Sequence, residues 1–247
     1  MQVIGKIIER LMAAVRPGHD CQGAVNDSRP SQARHRLPRD NSAMSVEEHP
    51  HYTAEQGLAR LKEGNERFAN GQARFPTVQK DVLAELAKGQ QPYATILGCS
   101  DSRVPPELVF DAGFGELFVI RVAGNVLGPS ILGTLQYAAS HLHTPLFVVL
   151  GHECCGAVKA AIASKFEGAT HKKRIEILLE NILPALEGID PTLPEDAQMR
   201  LAVEANVRWS MRQLLETQEA QARLKEGRVT LVGAIYELET GRVRFLG

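Results

Sequence analysis

Three short apolar runs limit what this 247-residue chain can fold into: residues 93–98, 117–122 and 146–150. Each is too short for a buried helix and lacks the strict alternation of a half-exposed strand. Strands buried on both faces of a parallel sheet read this way. Between and after them the hydrophobic period lengthens, so that residues 129–141 read as a crossover helix and residues 155–164 as another. Farther on, Ile175, Leu178, Leu179, Ile182 and Leu183 mark a helix stopped by Pro184 and Gly188, and a long helix is expected over residues 197–224. Residues 229–237 and 243–246, joined through Thr240-Gly241, close the chain as a strand pair. The expected fold is α/β: a mostly parallel β-sheet flanked by helices, with a C-terminal antiparallel edge strand.

Upstream, the folded body should begin near residue 51. Leu58, Leu61 and Phe68 mark one face of a helix ending at Asn70-Gly71, and a shorter helix covers residues 78–87. Residues 17–50 lose all periodicity to Gly, Ser, Pro, Asn, Arg and His and read as a disordered linker. Before it, Val3, Ile4, Ile7, Ile8, Leu11, Met12 and Val15 give residues 1–16 the spacing of an amphipathic helix. Three uses compete for such a tethered helix: an arm on a neighbouring subunit, a docking segment for a larger protein assembly or shell, or a membrane-surface anchor or organellar leader. Glu9, Asp20 and Asp27 weigh against an acid-poor leader.

Charge excludes little else, because 28 Lys and Arg balance 29 Asp and Glu, leaving no bulk case for nucleic acid. Four cysteines (Cys21, Cys99, Cys154, Cys155) are too few and too uneven for a secreted disulfide framework. No run is long enough for a transmembrane segment. A cytoplasmic protein with metal-binding thiols is expected, recruited to a protein compartment if residues 1–16 serve as the docking segment.

Two of the apolar runs deliver chemistry where they end, at Gly98-Cys99 and Gly151-His152. In an open α/β sheet, ligands collect outside the carboxyl ends of the strands. Two thiolates and one neutral imidazole suit zinc, and three protein ligands leave a fourth position open, the mark of a catalytic site. Cys99 and His152 are two of the candidate ligands, with Cys154 or Cys155 as the third. On an opening helical turn, residues three apart share a face, so Cys155 is preferred. Cys154 then becomes a small buried packing residue and Cys21 a free thiol in the linker. Asp101 and Arg103, two and four residues beyond Cys99, sit where one loop turn can pair them.

The segment Cys99-Ser-Asp101-Ser-Arg103-Val-Pro-Pro-Glu107, with Gly151-His152-x-x-Cys155-Gly156-Ala157-Val158, resembles the β-class carbonic anhydrases, in their plant-like and bacterial branch. The likeness runs from about Leu58 to Gly247, so residues 51–247 would form a β-carbonic anhydrase-like catalytic domain. It implies one Zn2+ per subunit on Cys99, His152 and Cys155, with Asp101 and Arg103 as the catalytic dyad that orients a zinc-bound hydroxide. It implies reversible hydration of carbon dioxide to bicarbonate and a proton by attack of that hydroxide. Gln90, Phe118, Tyr137 and Gly156 match substrate-pocket positions. The pocket would lie at a dimer interface, with Gln90 acting across it, in a homodimer, tetramer or octamer. His141, His143 and His171 are candidate proton carriers by their titration range alone. Two other uses of such a site stand beside this one: hydrolysis of carbon disulfide or carbonyl sulfide, and a non-catalytic zinc or thiol sensor.

Overall fold

The structure, a computed structural model, describes residues 52–74 and 80–246. The amphipathic segment and linker expected over residues 1–50 lie outside the described residues. The first helix, α1 (Ala54–Ala69), opens with a capping box in which the Thr53 hydroxyl accepts from Gln56 N and the Gln56 side chain accepts from Thr53 N. Two donors that would otherwise be orphaned are thus satisfied reciprocally. It closes at Asn70, with Gly71 left-handed (φ 68°). Helix α2 (Lys80–Leu86) follows, then β1 (Ala94–Gly98), the single turn α3 (Pro106–Val109) and β2 (Leu117–Arg121). A 3-10 turn (Ala123–Asn125) leads to the crossover helix α4 (Pro129–Tyr137), which runs into a π turn (Ala138–Leu142) before β3 (Leu146–His152). Helices α5 (Gly156–Phe166), α6 (Lys173–Leu179), α7 (Glu195–Leu215) and α8 (Gln218–Lys225) precede the hairpin of β4 (Thr230–Tyr236) and β5 (Val243–Leu246).

The five strands pair in the order β2-β1-β3-β4-β5, all parallel except the antiparallel β4–β5 pair. Every residue of β1 and β3 is buried, which accounts for their near-continuous apolar runs. Side chains alternate between two cores. Leu97, Val149 and Ile235 face one that includes Leu135 of α4, Val158 of α5 and Val203 and Val207 of α7. Ile96, Val148 and Ala234 face another, with Leu61 of α1 and Val109 of α3. Helix α1 comes so close to its neighbour that a Cβ on Gly64 would lie 1.9 Å from the Phe110 carbonyl oxygen. One residue along, Asn65 donates to the Val109 and Gly241 carbonyls and accepts from Val243 N, tying α1 to the closing hairpin.

Two helical expectations are corrected. The single helix expected over residues 197–224 is two, because the Thr217 hydroxyl accepts from Ala220 N and caps a new helix after Leu215. Pro184 does not stop the helix before it: α6 already ends at Leu179, and Pro184 sits in the first turn of a separate 3-10 segment, Leu183–Leu186. Among the described residues, no helix is long and apolar enough to cross a membrane.

Candidate metal centre

Register brings the predicted ligands together. Strands β1 and β3 are hydrogen-bonded neighbours with Gly98 opposite Leu150, so Cys99 and His152 leave the same edge of the sheet side by side. The chain then turns through Glu153 and Cys154, the latter left-handed at φ 51°, and returns Cys155 to the same spot as the N-cap of α5. Ligand atoms of Cys99, His152 and Cys155 all lie within 4.8 Å of one another, and all three residues are buried. The two sulfurs are 4.0 Å apart.

Cys155 is therefore the cysteine that joins the cluster, for a reason other than helical spacing. His152 ends a strand and Cys155 is still extended (φ −64°, ψ 118°), so the left-handed turn between them closes the gap. That turn also pushes Cys154 outward. It is exposed, not the buried packing residue that was expected.

The imidazole is set up to ligate. Its Nδ1 lies 2.8 Å from the Glu153 carbonyl oxygen, which can only accept, so Nδ1 carries the proton and Nε2 keeps its lone pair. Nε2 is buried without a hydrogen-bond partner. A buried polar atom left unpaired costs free energy that a cation at that point would recover. The thiols behave unequally as bare side chains. The hydrogen bond from Cys155 draws the Cys99 thiol down, helped by the Gly124 N–H against the opposing effect of burial; the same Cys99–Cys155 bond, with burial, pushes Cys155 up. A shared divalent cation removes that competition, because metal binding takes both thiolates deprotonated. Two sulfurs and one imidazole nitrogen with an open side fit zinc.

Beside the cluster, Asp101 and Arg103 form the expected pair. Arg103 donates from Nε and Nη2 to the two carboxylate oxygens at 2.9 and 2.7 Å, and its backbone N donates to Oδ1 at 3.0 Å. Those bonds, led by the Arg103 side chain, hold the Asp101 carboxyl far below the usual carboxylate range, so it is ionised at any working pH. Each carboxylate oxygen offers two lone-pair sites. Oδ1 spends both on Arg103, whereas Oδ2 accepts one bond and keeps one site. Oδ2 is also the oxygen that lies 3.9 Å from His152 Nε2.

Sequence reasoning missed Arg121, at the end of β2. It donates to the carbonyls of Cys99 and Asp101 and so fixes the loop between them. The signal was an arginine terminating an otherwise apolar strand.

The substrate-pocket positions separate into two groups. Gly156 lies next to Cys155, exposed, and a Cβ there would meet nothing within 4 Å, so space beside the cluster is open. Gln90, Phe118 and Tyr137 are not brought to the cluster of their own chain. Phe118 pairs in register with Thr95, four residues short of Cys99, or about 13 Å along the strand at about 3.3 Å per residue. Gln90 precedes β1 and is exposed. Tyr137 is 47% exposed and packs on Phe118, with ring centroids 6.2 Å apart. His141 stacks on Tyr137 in turn, at 4.9 Å. His143 serves as the left-handed cap of the π turn, and the backbone N of His171 donates to Glu176.

Comparison with known proteins agrees with this geometry. A family model described as carbonic anhydrase matches residues 94–243. Carbonic anhydrase 2 of Mycobacterium tuberculosis is 40% identical over 184 residues, covering 74% of this chain and 87% of that protein. Carbonic anhydrase of Synechococcus elongatus is 30% identical over 201 residues, covering 75% and 70%. Among solved structures, the β-carbonic anhydrase CcaA matches with a TM-score of 0.63 at 29% identity, covering 76% of this chain and 86% of that one. A Coccomyxa β-carbonic anhydrase, in complex with acetazolamide, matches with a TM-score of 0.60 at 27% identity over the same shares.

Proposed function

The chain belongs to the β-carbonic anhydrase family and hydrates carbon dioxide reversibly to bicarbonate and a proton; from that premise we propose that Cys99, His152 and Cys155 hold one zinc ion per subunit and that Asp101 and Arg103 orient the nucleophile. The observation that carries the metal assignment is the partnerless, buried Nε2 of His152 facing two sulfurs in a cluster no wider than 4.8 Å. Zinc, when bound there, would supply the Lewis acidity that makes a bound water far more acidic than bulk water.

The protein's own groups then decide direction. With Oδ1 saturated, the single free acceptor site of Asp101 is on Oδ2, the oxygen nearer the histidine nitrogen. A hydroxyl arriving there must donate its hydrogen to Oδ2, which turns its lone pair toward the open side. Arg103 keeps the carboxylate ionised and fixed, so no reorganisation accompanies the attack. Neither hydrolysis of carbon disulfide or carbonyl sulfide nor thiol sensing draws support from the relatives, which are carbonic anhydrases.

The working unit we propose is at least a dimer, in which Gln90, Phe118 and Tyr137 of one subunit complete the pocket beside the metal centre of the other. Their distance from their own cluster along the strands supports this reading, as do the exposed apolar side chains of Val82, Leu83 and Phe114. His141, stacked on Tyr137, is then the histidine best placed to carry the proton away. Residues 51–247 act as the catalytic domain in this reading, and residues 1–16 serve as a subunit arm, as a docking segment that sets where the enzyme resides, or as a membrane-surface anchor or leader.

Metal analysis joined to stopped-flow carbon dioxide hydration tests the central assignment. About one zinc per chain is expected, with hydration lost on chelation and restored by zinc. Full hydration by metal-free protein would overturn it.

A further inference from the structure

Two polar side chains of α7, Asn206 and Ser210, have no part in the site as described so far, yet each is only 1% exposed. They are four residues apart and so share a helix face. A buried amide or hydroxyl is costly unless bonded, so its partners indicate what it serves. Asn206 Nδ2 donates to the Gly124 carbonyl at 2.8 Å. Ser210 Oγ donates to the Asn125 carbonyl at 3.1 Å and accepts from Asn125 Nδ2 at 3.4 Å. Both side chains therefore grip the same short turn, Ala123–Asn125.

That turn passes through two successive left-handed residues, Gly124 at φ 67° and Asn125 at φ 44°. Left-handed backbone is open to glycine and, at some cost, to asparagine, and at Asn125 the two hydrogen bonds with Ser210 secure it. Gly124 is also hemmed in, since a Cβ there would lie 2.8 Å from Ile182 Cδ1 and 3.0 Å from Ala157 Cβ. The outcome is directional. Gly124 N–H donates to the Cys99 sulfur at 3.3 Å.

We propose that Asn206 and Ser210 are positioning residues for the metal centre: they hold the turn that aims the Gly124 N–H at the Cys99 sulfur, and so set how much charge that thiolate gives the metal. The inference rests on Cys99 being a metal ligand. Two anionic thiolates give a cation more charge than neutral imidazoles would and so weaken its pull on a fourth ligand. A backbone N–H bonded to sulfur withdraws part of that charge. Partners beyond the direct ligands tune metal sites in this way, typically by about 10–100-fold in metal affinity or activity.

A merely structural pair, tying α7 to the sheet, would alter stability alone. Asn206→Ala and Ser210→Ala should be compared with Leu214→Ala, a core truncation on the same helix away from the turn. Each protein is loaded with cobalt(II), and the thiolate-to-cobalt charge-transfer band is recorded. Zinc-loaded samples are mixed with excess chelating dye to time zinc release. The inference expects the band to move to longer wavelength in both turn variants, as the sulfur becomes more electron-rich, with zinc release about 10-fold faster as the turn loosens. Leu214→Ala should keep the parent band and release rate despite a lowered melting temperature. If Asn206→Ala does not fold, Ser210→Ala decides by itself. A parent-like band and release rate in the folded turn variants would overturn the inference while leaving Cys99 as a ligand. A parent protein that binds cobalt with no thiolate band would overturn the ligand assignment and this inference with it.

Discussion

Replacing Asp101 with alanine removes an acceptor that the structure leaves with one unspent site. Arg103 takes both sites on Oδ1 and one on Oδ2, so the remaining site on Oδ2 is the part of the carboxylate available to the nucleophile. A hydrogen bond to a charged group is worth about 1.5–3 kcal/mol. At about 1.36 kcal/mol per tenfold, its loss alone slows turnover by roughly 10–150-fold. Losing a preorganised group in a water-poor site costs about 10²–10³-fold in kcat. We therefore expect Asp101→Ala to lose about 10²-fold or more in kcat with KM for carbon dioxide little changed, because the carboxylate orients the attacking group and does not hold the substrate. Arg103→Ala should fall into the same range by freeing the carboxylate to rotate. Stopped-flow hydration with a pH indicator gives both constants, and metal analysis of the same samples must return near-stoichiometric zinc. Turnover within about threefold of the parent at full zinc occupancy would refute the reasoning. Loss of zinc together with turnover would make Asp101 a part of the metal site instead.

His141→Ala should lower turnover in weakly buffered solution and recover on adding imidazole, whereas His143→Ala should do neither; equal behaviour of the two would remove His141 from proton export. Asp111, buried between Arg67 and Arg74, has its carboxyl held below the usual range: burial works to raise it, but hydrogen bonds from both arginines prevail. Its folded pKa is depressed, so its stabilisation is complete above the unfolded value of about 3.9 and fades as pH falls through the folded one. Asp111→Asn should accordingly cost about 1–3 kcal/mol in urea unfolding at neutral pH, and the gap should narrow in acid. A gap that is the same at both pH values would show that the charge is not its source. Deleting residues 1–45 should leave hydration intact and abolish co-purification with a larger assembly if residues 1–16 dock; loss of activity or of oligomerisation would favour the subunit arm.

The parts of the site that follow from local pattern were legible in the sequence. Gly98-Cys99 and Gly151-His152 each end a short, mostly apolar run, and parallel strands put their exits on one edge, so the candidate metal cluster could be read from topology. Asp101 and Arg103 are close enough in sequence to pair whatever the rest of the chain does. Features decided by backbone sign or by distant packing were not legible. The left-handed Cys154 turns outward although a small residue in that context reads as buried. Thr217 caps a new helix within a stretch of helix-forming residues that carries no Gly or Pro to mark the break. Phe118 and Tyr137 carry no mark in the sequence of their distance from the Cys99–His152–Cys155 cluster. Asn206 and Ser210 did leave a trace, two polar residues four apart on a helix face that also carries Ala202, Val203, Val207 and Leu214.

The ladder between β3 and β4 runs through to its final pair, His152 opposite Tyr236. Beyond it, Glu153 N donates to the Tyr236 carbonyl and Leu238 N donates to the Glu153 side chain. The proposed metal ligand His152 is thus the last rung of the β3–β4 ladder at this edge, and unzipping β4 from this end loosens the histidine first. Local opening and metal release become one event seen by two probes: a ligand that binds only the closed form stabilises it by mass action. Amide exchange at Ile235, Tyr236 and Glu153 should therefore slow when zinc is supplied, while exchange at the far end of the same strands, near Leu146 and Thr230, stays indifferent to it.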